Sequence, residues 1–155
     1  MPAVSNASPL IALAAIKRLD FVRALFETVL IPPAVAHEIR RSIPVVPPWL
    51  QVQTLRDPLP LIVLRRTLGV GEREAVALAL EVHADPIILD DLPARRVAQL
   101  AGLNVVGTVG MLLGAKHIGL IGRIRPELDN LVKTSFFLSP QLYEELLVAA
   151  GEVDS

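Results

Sequence analysis

The stretch PIILDDLPARRVAQLAGLNVV, residues 86–106, decides the fold class of this chain of 155 residues. Residues 86–89 are a short apolar run with two adjacent isoleucines, which is typical of a buried strand. The pattern then becomes helical over Leu92–Leu100, and Gly102 ends the helix. Residues 104–106 form the next apolar strand. Two strands joined by a helix in this way predict neighbouring parallel strands.

The same alternation of strands and helices runs through the rest of the chain. Residues 3–5 and 28–31 are predicted strands, and residues 49–55 alternate like an edge strand after a proline-rich loop. Ser8 before Pro9 predicts the N-cap of the first helix. Apolar strands separated by helices predict an α/β fold, a central parallel sheet covered by helices on both faces. Further helices are predicted over 19–26, 33–41, from Gly69-Val70-Gly71 onward, 109–117, 124–133 and 140–149, the last capped by Ser139.

The composition is that of one soluble domain spanning residues 1–155, with 52% hydrophobic and 20% charged residues. The lack of cysteine excludes thiolate nucleophiles, zinc-ribbon sites and disulfides. No apolar run reaches the roughly 18 residues of a membrane span, and the N-terminus does not resemble a secretory signal, so we expect a cytoplasmic protein. A net charge of −1 gives no general attraction for nucleic acid, and a polyanion would have to be held locally.

Several polar side chains stand where a parallel sheet presents them to a ligand. In such sheets ligands bind beyond the carboxyl ends of the strands, so residues that follow strands and open nearby helices can converge. A group of carboxylates without cysteine suits a hard cation such as Mg²⁺ or Mn²⁺. The candidates are Asn6, which ends the first strand, Glu38, Glu72 and Glu74 on helices, and Asp90 and Asp91 after a later strand.

Each candidate also has an ordinary structural explanation. The amide of Asn6 can cap the helix that follows it. The two aspartates can cap a strand-to-helix junction, and the two glutamates that open a helix interact favourably with its dipole. Glu38 has the position of a solvated acid on a helix surface. The three histidines have no metal-ligand spacing, and Gly69-Val70-Gly71 lacks the Lys-Ser/Thr of a phosphate-binding loop.

Five blocks of the sequence stand out in this order: VSNASPLIAL at 4–13, IPPAV to Glu38-Ile39 at 31–39, GEREAVALA at 71–79, ILDD to RRVA at 88–98, and GTVG to AKHIGL at 107–120. Together they resemble a PIN domain. More narrowly, they resemble an uncharacterised bacterial and archaeal subfamily of PIN-like proteins, many of them thought to be toxins of toxin–antitoxin pairs. The resemblance covers about residues 3–121 and leaves 122–155 as C-terminal helices.

The resemblance implies a three-layer PIN-like fold and a Mg²⁺- or Mn²⁺-dependent ribonuclease. Its ring of acidic residues lies at the carboxyl edge of the sheet, and its expected partner is RNA. By position, the catalytic and metal-binding set falls on Asn6, Glu38, Glu72 and Asp90, with Glu74 and Asp91 as close alternatives for the last two. The family's strand-end hydroxyl falls on Ser8, and Thr108 is a second supporting hydroxyl.

Asn6 departs from the family, in which an active nuclease has Asp at this position. Asn can offer an amide oxygen to a metal, but it brings no charge and cannot act as a base. Arg95 and Arg96 lie one turn beyond Asp90, where we expect them to meet substrate phosphates.

Two other functions are compatible with the same sequence features. The chain can be a catalytically weak or inactive PIN-like module that binds RNA or an antitoxin through the same groove. It can also be an α/β domain whose exposed apolar surfaces mainly serve oligomerisation. In each case the hydrophobic composition predicts a homodimer or a larger homo-oligomer, and no membrane partner is expected.

Overall fold

The computed structural model describes residues 1–57 and 68–153. These residues form a five-stranded sheet in which every pairing is parallel, as predicted for an α/β fold. The spatial order is β3-β2-β1-β4-β5, which places the predicted edge strand at one edge. The strands are β1 (Ala3–Ser5), β2 (Val29–Ile31), β3 (Leu50–Val52), β4 (Ile87–Ile88) and β5 (Val105–Val106).

Eight helices are present in the described residues, and most begin and end close to the predicted positions. No helix in these ranges combines the length and apolarity needed to cross a membrane. The third helix ends at Glu38 rather than at the predicted residue 41. The helices are α1 (Ala7–Ala15), α2 (Asp20–Phe26), α3 (Pro33–Glu38), α4 (Val70–Val82), α5 (Leu92–Leu100), α6 (Thr108–His117), α7 (Arg125–Val132) and α8 (Pro140–Ala149).

The first helix begins earlier than predicted, so the expected N-cap at Ser8 is wrong. Asn6 is the N-cap residue, with an extended backbone, and Ser8 is an exposed residue in the first helical turn. Pro9 fits inside this turn because the first four backbone N–H groups of a helix have no intrahelical partner in any case. The cap predicted at Ser139 is confirmed, since its hydroxyl accepts the N–H of Leu142 at 3.1 Å.

The sheet separates two hydrophobic cores because alternate side chains of a strand point to opposite faces. Val4 and Leu30 contribute to the core under α4 and α5. Ala3 and Val29 contribute to the larger core on the other face, which includes buried residues of α1, α2, α3, α6, α7 and α8. The protein therefore has three layers, helices on both faces of one parallel sheet.

The strand order creates a switch point between β1 and β4. These strands are paired through Val4 with Ile87 and Ser5 with Ile88, but β1 connects onward to β2 on one side and β4 to β5 on the other. Connections that diverge in this way leave a crevice beyond the strand ends. Asn6 follows β1, and Asp90 lies two residues beyond β4, so the crevice begins between them.

Candidate active site

Asn6 is a buried polar side chain with an unsatisfied oxygen. Only 3% of the residue is exposed, and its Oδ1 has no hydrogen-bond partner among the described residues. The amide does not cap α1, because no side-chain cap hydrogen bond is formed there. An unpaired buried acceptor costs about 1–3 kcal/mol, and no atom of the described residues offsets that cost at Asn6.

Gly71, in the first turn of α4, lets Asn6 and Glu38 face each other. A Cβ atom added to Gly71 would lie 3.3 Å from Asn6 Oδ1 and would overlap with Glu38 Oε1. The missing side chain therefore leaves space that the amide oxygen and the carboxylate share. Three elements meet here: the end of β1, the end of α3 and the start of α4.

Glu38 lies in a negative environment. Partial desolvation raises the pKa of its carboxyl group, the negative charges of Glu72 and Glu74 raise it further, and His37 partly offsets the effect. Glu74 also has a structural partner, since its Oε1 accepts the N–H of Ala34 at 3.3 Å at the start of α3. Repulsion among these carboxylates is what a bound cation would relieve.

Asp90 is held by Thr108, the first residue of α6. Its Oδ1 accepts the backbone N–H of Thr108 at 2.8 Å, and its Oδ2 accepts the hydroxyl at 2.6 Å. Thr108 is fully buried, so the predicted supporting hydroxyl orients the carboxylate from inside the protein. Asp91 has a different hydrogen-bond partner. Its Oδ2 accepts the N–H of Ala94 at 3.1 Å and caps α5.

Arg95 and Asp90 approach each other over a second glycine. A Cβ atom on Gly107 would lie 2.7 Å from Arg95 Nη1 and 2.8 Å from Asp90 Oδ1. Arg95 also donates from Nη1 to the carbonyl oxygen of Leu89 at 3.0 Å, which fixes its guanidinium beside the end of β4. Arg96 is exposed and does not line the groove at this site.

A groove of about 660 Å³ lies beside Asp90 and Arg95, and Asn6 and Glu38 are not among the residues that line it. An adjoining cavity of about 320 Å³ shares Ser8 and Asp90 with it. The lining of the groove includes polar residues, Ser8, Glu72, Asp90, Asp91 and Arg95, and apolar residues, among them Phe136, Phe137 and Leu142.

A comparison with protein families identifies the family of this chain. Residues 2–152 match the model of the family DUF3368, which is described as a PIN domain. This chain belongs to the PIN-domain family. The resemblance inferred from the sequence blocks is thereby confirmed, and PIN domains as a family are nuclease-like. The match includes the C-terminal helices, which lie beyond the blocks that carried the resemblance.

A solved structure shows the same fold. It is a PilT N-terminus domain protein from the hyperthermophilic archaeon Sulfolobus solfataricus, with a TM-score of 0.56 and 18% sequence identity. The similarity covers 74% of this PIN domain and 93% of that chain. A comparison with curated proteins finds no match.

The donor set of this PIN domain fits a divalent cation in its chemistry. Within residues 1–57 and 68–153, no three His, Asp or Glu side chains are grouped so that they would hold a metal ion by themselves. The buried, unpaired Asn6 oxygen and the crowded carboxylate of Glu38 are nevertheless the oxygen donors that Mg²⁺ and Mn²⁺ prefer. A cation here would depend on the amide oxygen and on water or phosphate oxygens as well as on carboxylates.

The apolar residues that line the groove were not predicted from the sequence. Phe136 and Phe137 lie outside the five blocks, between α7 and α8. The one available signal was their adjacency in a chain with only 4% aromatic residues. Nothing in their local pattern connects them to Asp90, because lining the same groove depends on how α7 and α8 pack on the sheet.

Proposed function

We propose that this PIN domain is a ribonuclease that requires Mg²⁺ or Mn²⁺, with its centre at Asn6, Glu38, Glu72 and Asp90. The observation that carries the proposal is the unpaired Asn6 oxygen facing Glu38 across Gly71. A buried acceptor without a partner, beside a carboxylate whose pKa is raised by its desolvation and by other carboxylates, is an arrangement that a cation stabilises.

The residues around the centre have separate roles in this proposal. When bound, the cation would neutralise charge on the scissile phosphate and activate water for attack on phosphorus. Asn6, Glu38, Glu72 and Asp90 would hold it, and Thr108 is a positioning residue that fixes Asp90 through two hydrogen bonds. Ser8, which lines the groove, hydrogen-bonds the substrate. Arg95 binds phosphate with the N–H groups that Leu89 does not use.

The second candidate function is a catalytically inactive module that binds RNA or an antitoxin in the same groove. The neutral Asn6 favours it, because a lost charge about 4 Å from a cation weakens attraction by up to ~4 kcal/mol at an effective dielectric of 20. The lack of a three-acid cluster in the described residues favours it as well.

The nuclease proposal extends to a biological setting, the toxin of a toxin–antitoxin pair that acts on cytoplasmic RNA. Expression of the wild type would then arrest growth, and Asp90→Asn would not. A small open reading frame next to this gene, whose product binds the protein and restores growth, is the second expected observation. Equal growth with wild type and variant would contradict the toxin role.

The decisive experiment is a calorimetric titration with Mn²⁺, followed by RNA cleavage at the same metal concentration. Asp90→Asn should weaken Mn²⁺ binding and abolish cleavage. Asp91→Asn is a matched control, because Asn caps a helix about as well as Asp, and it should retain both properties. A wild type that neither binds Mn²⁺ nor cleaves RNA would exclude the nuclease and leave the binding module.

A further inference from the structure

Phe137 is an aromatic side chain held out in solvent, with 86% of the residue exposed. The residues on either side of it, Phe136 and Leu138, are partly buried against the larger core. Thr134 stiffens the same segment, since its hydroxyl donates to the carbonyl of Leu131 at 2.6 Å and accepts the N–H of Phe136 at 3.1 Å. The segment between α7 and α8 thus presents Phe137 from a fixed backbone.

The position of Phe137, rather than its exposure, is informative. Single exposed apolar residues are common on proteins, and Leu100 is a comparable case, 78% exposed on α5. Phe137, however, lines both the groove over the acidic site and the adjoining cavity. These two spaces also share Ser8 and Asp90, so Phe137 lines the same openings as two of the candidate site residues.

The lining of the groove combines two kinds of chemistry. Asp90 and Arg95 suit a phosphate with its cation, and Phe137 and Leu142 suit a flat apolar surface. A nucleotide in a single strand has both parts, a charged phosphate and an unstacked base. An apolar peptide would match only the apolar residues and would leave the charged groups without partners.

We infer that Phe137 is a stacking platform for an unpaired base of single-stranded RNA whose phosphate lies at Asp90. This inference rests on the proposed nuclease function and names the form of its substrate. Aromatic side chains stack with every base because each base has a π-face. A paired duplex does not bind in this way, since its base faces are already covered by neighbouring pairs.

The test measures the affinity for a fluorescently labelled oligoribonucleotide by anisotropy, in an Asp90→Asn background, where cleavage is expected to be abolished and the probe stays intact. Phe137→Ala should raise Kd about tenfold, whereas Phe137→Tyr, which keeps the ring, should stay within about twofold. Leu100→Ala is the matched exposed control and should match the parent. A duplex of the same sequence should bind much more weakly than the single strand.

An abasic scan separates base stacking from general contact. A single abasic site at the stacked position should remove the difference between the parent and Phe137→Ala. The inference is overturned if Phe137→Ala binds as tightly as the parent, or if its defect persists with every abasic probe.

The kinetics of the wild-type background distinguish failure of the inference from failure of the proposed function. Phe137→Ala should raise KM and leave kcat unchanged, because the ring binds the substrate uniformly and does not touch the reacting atoms. Cleavage with unchanged KM would refute the stacking platform and leave the nuclease. Binding that depends on Phe137 without any cleavage would refute the nuclease and leave the platform, and no RNA binding would refute both.

Discussion

At the scale of single residues, the proposed metal site depends mainly on the Oδ1 atom of Asn6. Asn6 is buried, and within residues 1–57 and 68–153 its Oδ1 forms neither a helix cap nor any other hydrogen bond. A structural Asn at a strand end would normally satisfy this oxygen with a backbone N–H. The cost of leaving it unpaired is explained if a ligand from outside the chain completes it.

Asn6→Asp tests whether that ligand is a cation. The substitution adds a charge beside Glu38 with almost no change in size, so Mn²⁺ affinity should rise at least tenfold and RNA cleavage should increase. Without metal, repulsion between the two carboxylates should lower the melting temperature, by roughly 2–4 °C for each 1 kcal/mol. Calorimetry and thermal unfolding with and without Mn²⁺ measure both effects. Unchanged values in both measurements would remove position 6 from the metal site.

Gly71→Ala should weaken metal binding and cleavage without lowering the melting temperature. Alanine favours a helix over glycine by about 0.8–1.0 kcal/mol, and the added Cβ meets mainly the mobile end of the Glu38 side chain. The melting temperature should therefore stay the same or rise slightly, while Mn²⁺ binding and cleavage fall because the carboxylate is displaced. Gly122→Ala is the control, since a Cβ there meets nothing within 4 Å. A parallel loss of stability and metal binding would contradict this account.

At the scale of elements, the C-terminal helices are tied to the body of the protein by one buried carboxylate. Glu152 follows α8 and accepts the backbone N–H groups of Ile124 at 2.7 Å and Arg125 at 3.1 Å, at the start of α7. It also accepts from Lys116 Nζ of α6 at 3.0 Å. The tie matters for the site because the segment that carries Phe137 joins α7 to α8.

The same contacts make stability depend on pH. Burial opposes the ionisation of Glu152, but the hydrogen bonds from Ile124, Lys116 and Arg125 outweigh it and hold the pKa of its carboxyl below the ordinary value. A lowered folded pKa adds stability above the unfolded pKa of about 4.3, and this stability is lost as pH falls through the folded value.

Glu152→Gln should reduce the free energy of unfolding by about 1–3 kcal/mol at pH 7, because it removes charge-assisted hydrogen bonds from a buried site. The difference from wild type should shrink as pH falls below the unfolded pKa of about 4.3 and then through the lower pKa of the native carboxylate. Urea unfolding of both proteins at pH 7 and at pH 3 measures it. An equal difference at the two pH values would show that the charge of Glu152 does not contribute.

At the scale of the whole molecule, we predict a homodimer or a larger assembly. After two cores are filled, apolar side chains remain exposed, among them Val148 on α8 at 54% and Val52 on the edge strand β3 at 55%. Burying such surface between copies is favourable. Light scattering at micromolar concentration should give at least twice the chain mass, and a value of 16.8 kDa would contradict the prediction.

The sequence by itself determined the elements of this protein and their order. Strand β4 and helix α5 follow from residues close together in the chain, whose period and end signals are local. The one misplaced cap, at Ser8, shows the limit of such signals, because a proline fits at more than one position of a first helical turn.

Only the tertiary structure decided how the candidate site residues are arranged. The insertion of β4 beside β1 places Asn6 and Asp90 beyond the carboxyl ends of neighbouring strands, and no local pattern specifies that strand order. It also separated the roles of Asp90 and Asp91, since one carboxylate faces Thr108 and its neighbour caps α5. Phe137 lines the groove, and this position could not be predicted because the packing of α7 and α8 on the sheet is a long-range property. Periodicity fixes which face of an element is buried, whereas contacts between distant residues depend on how all the elements pack together.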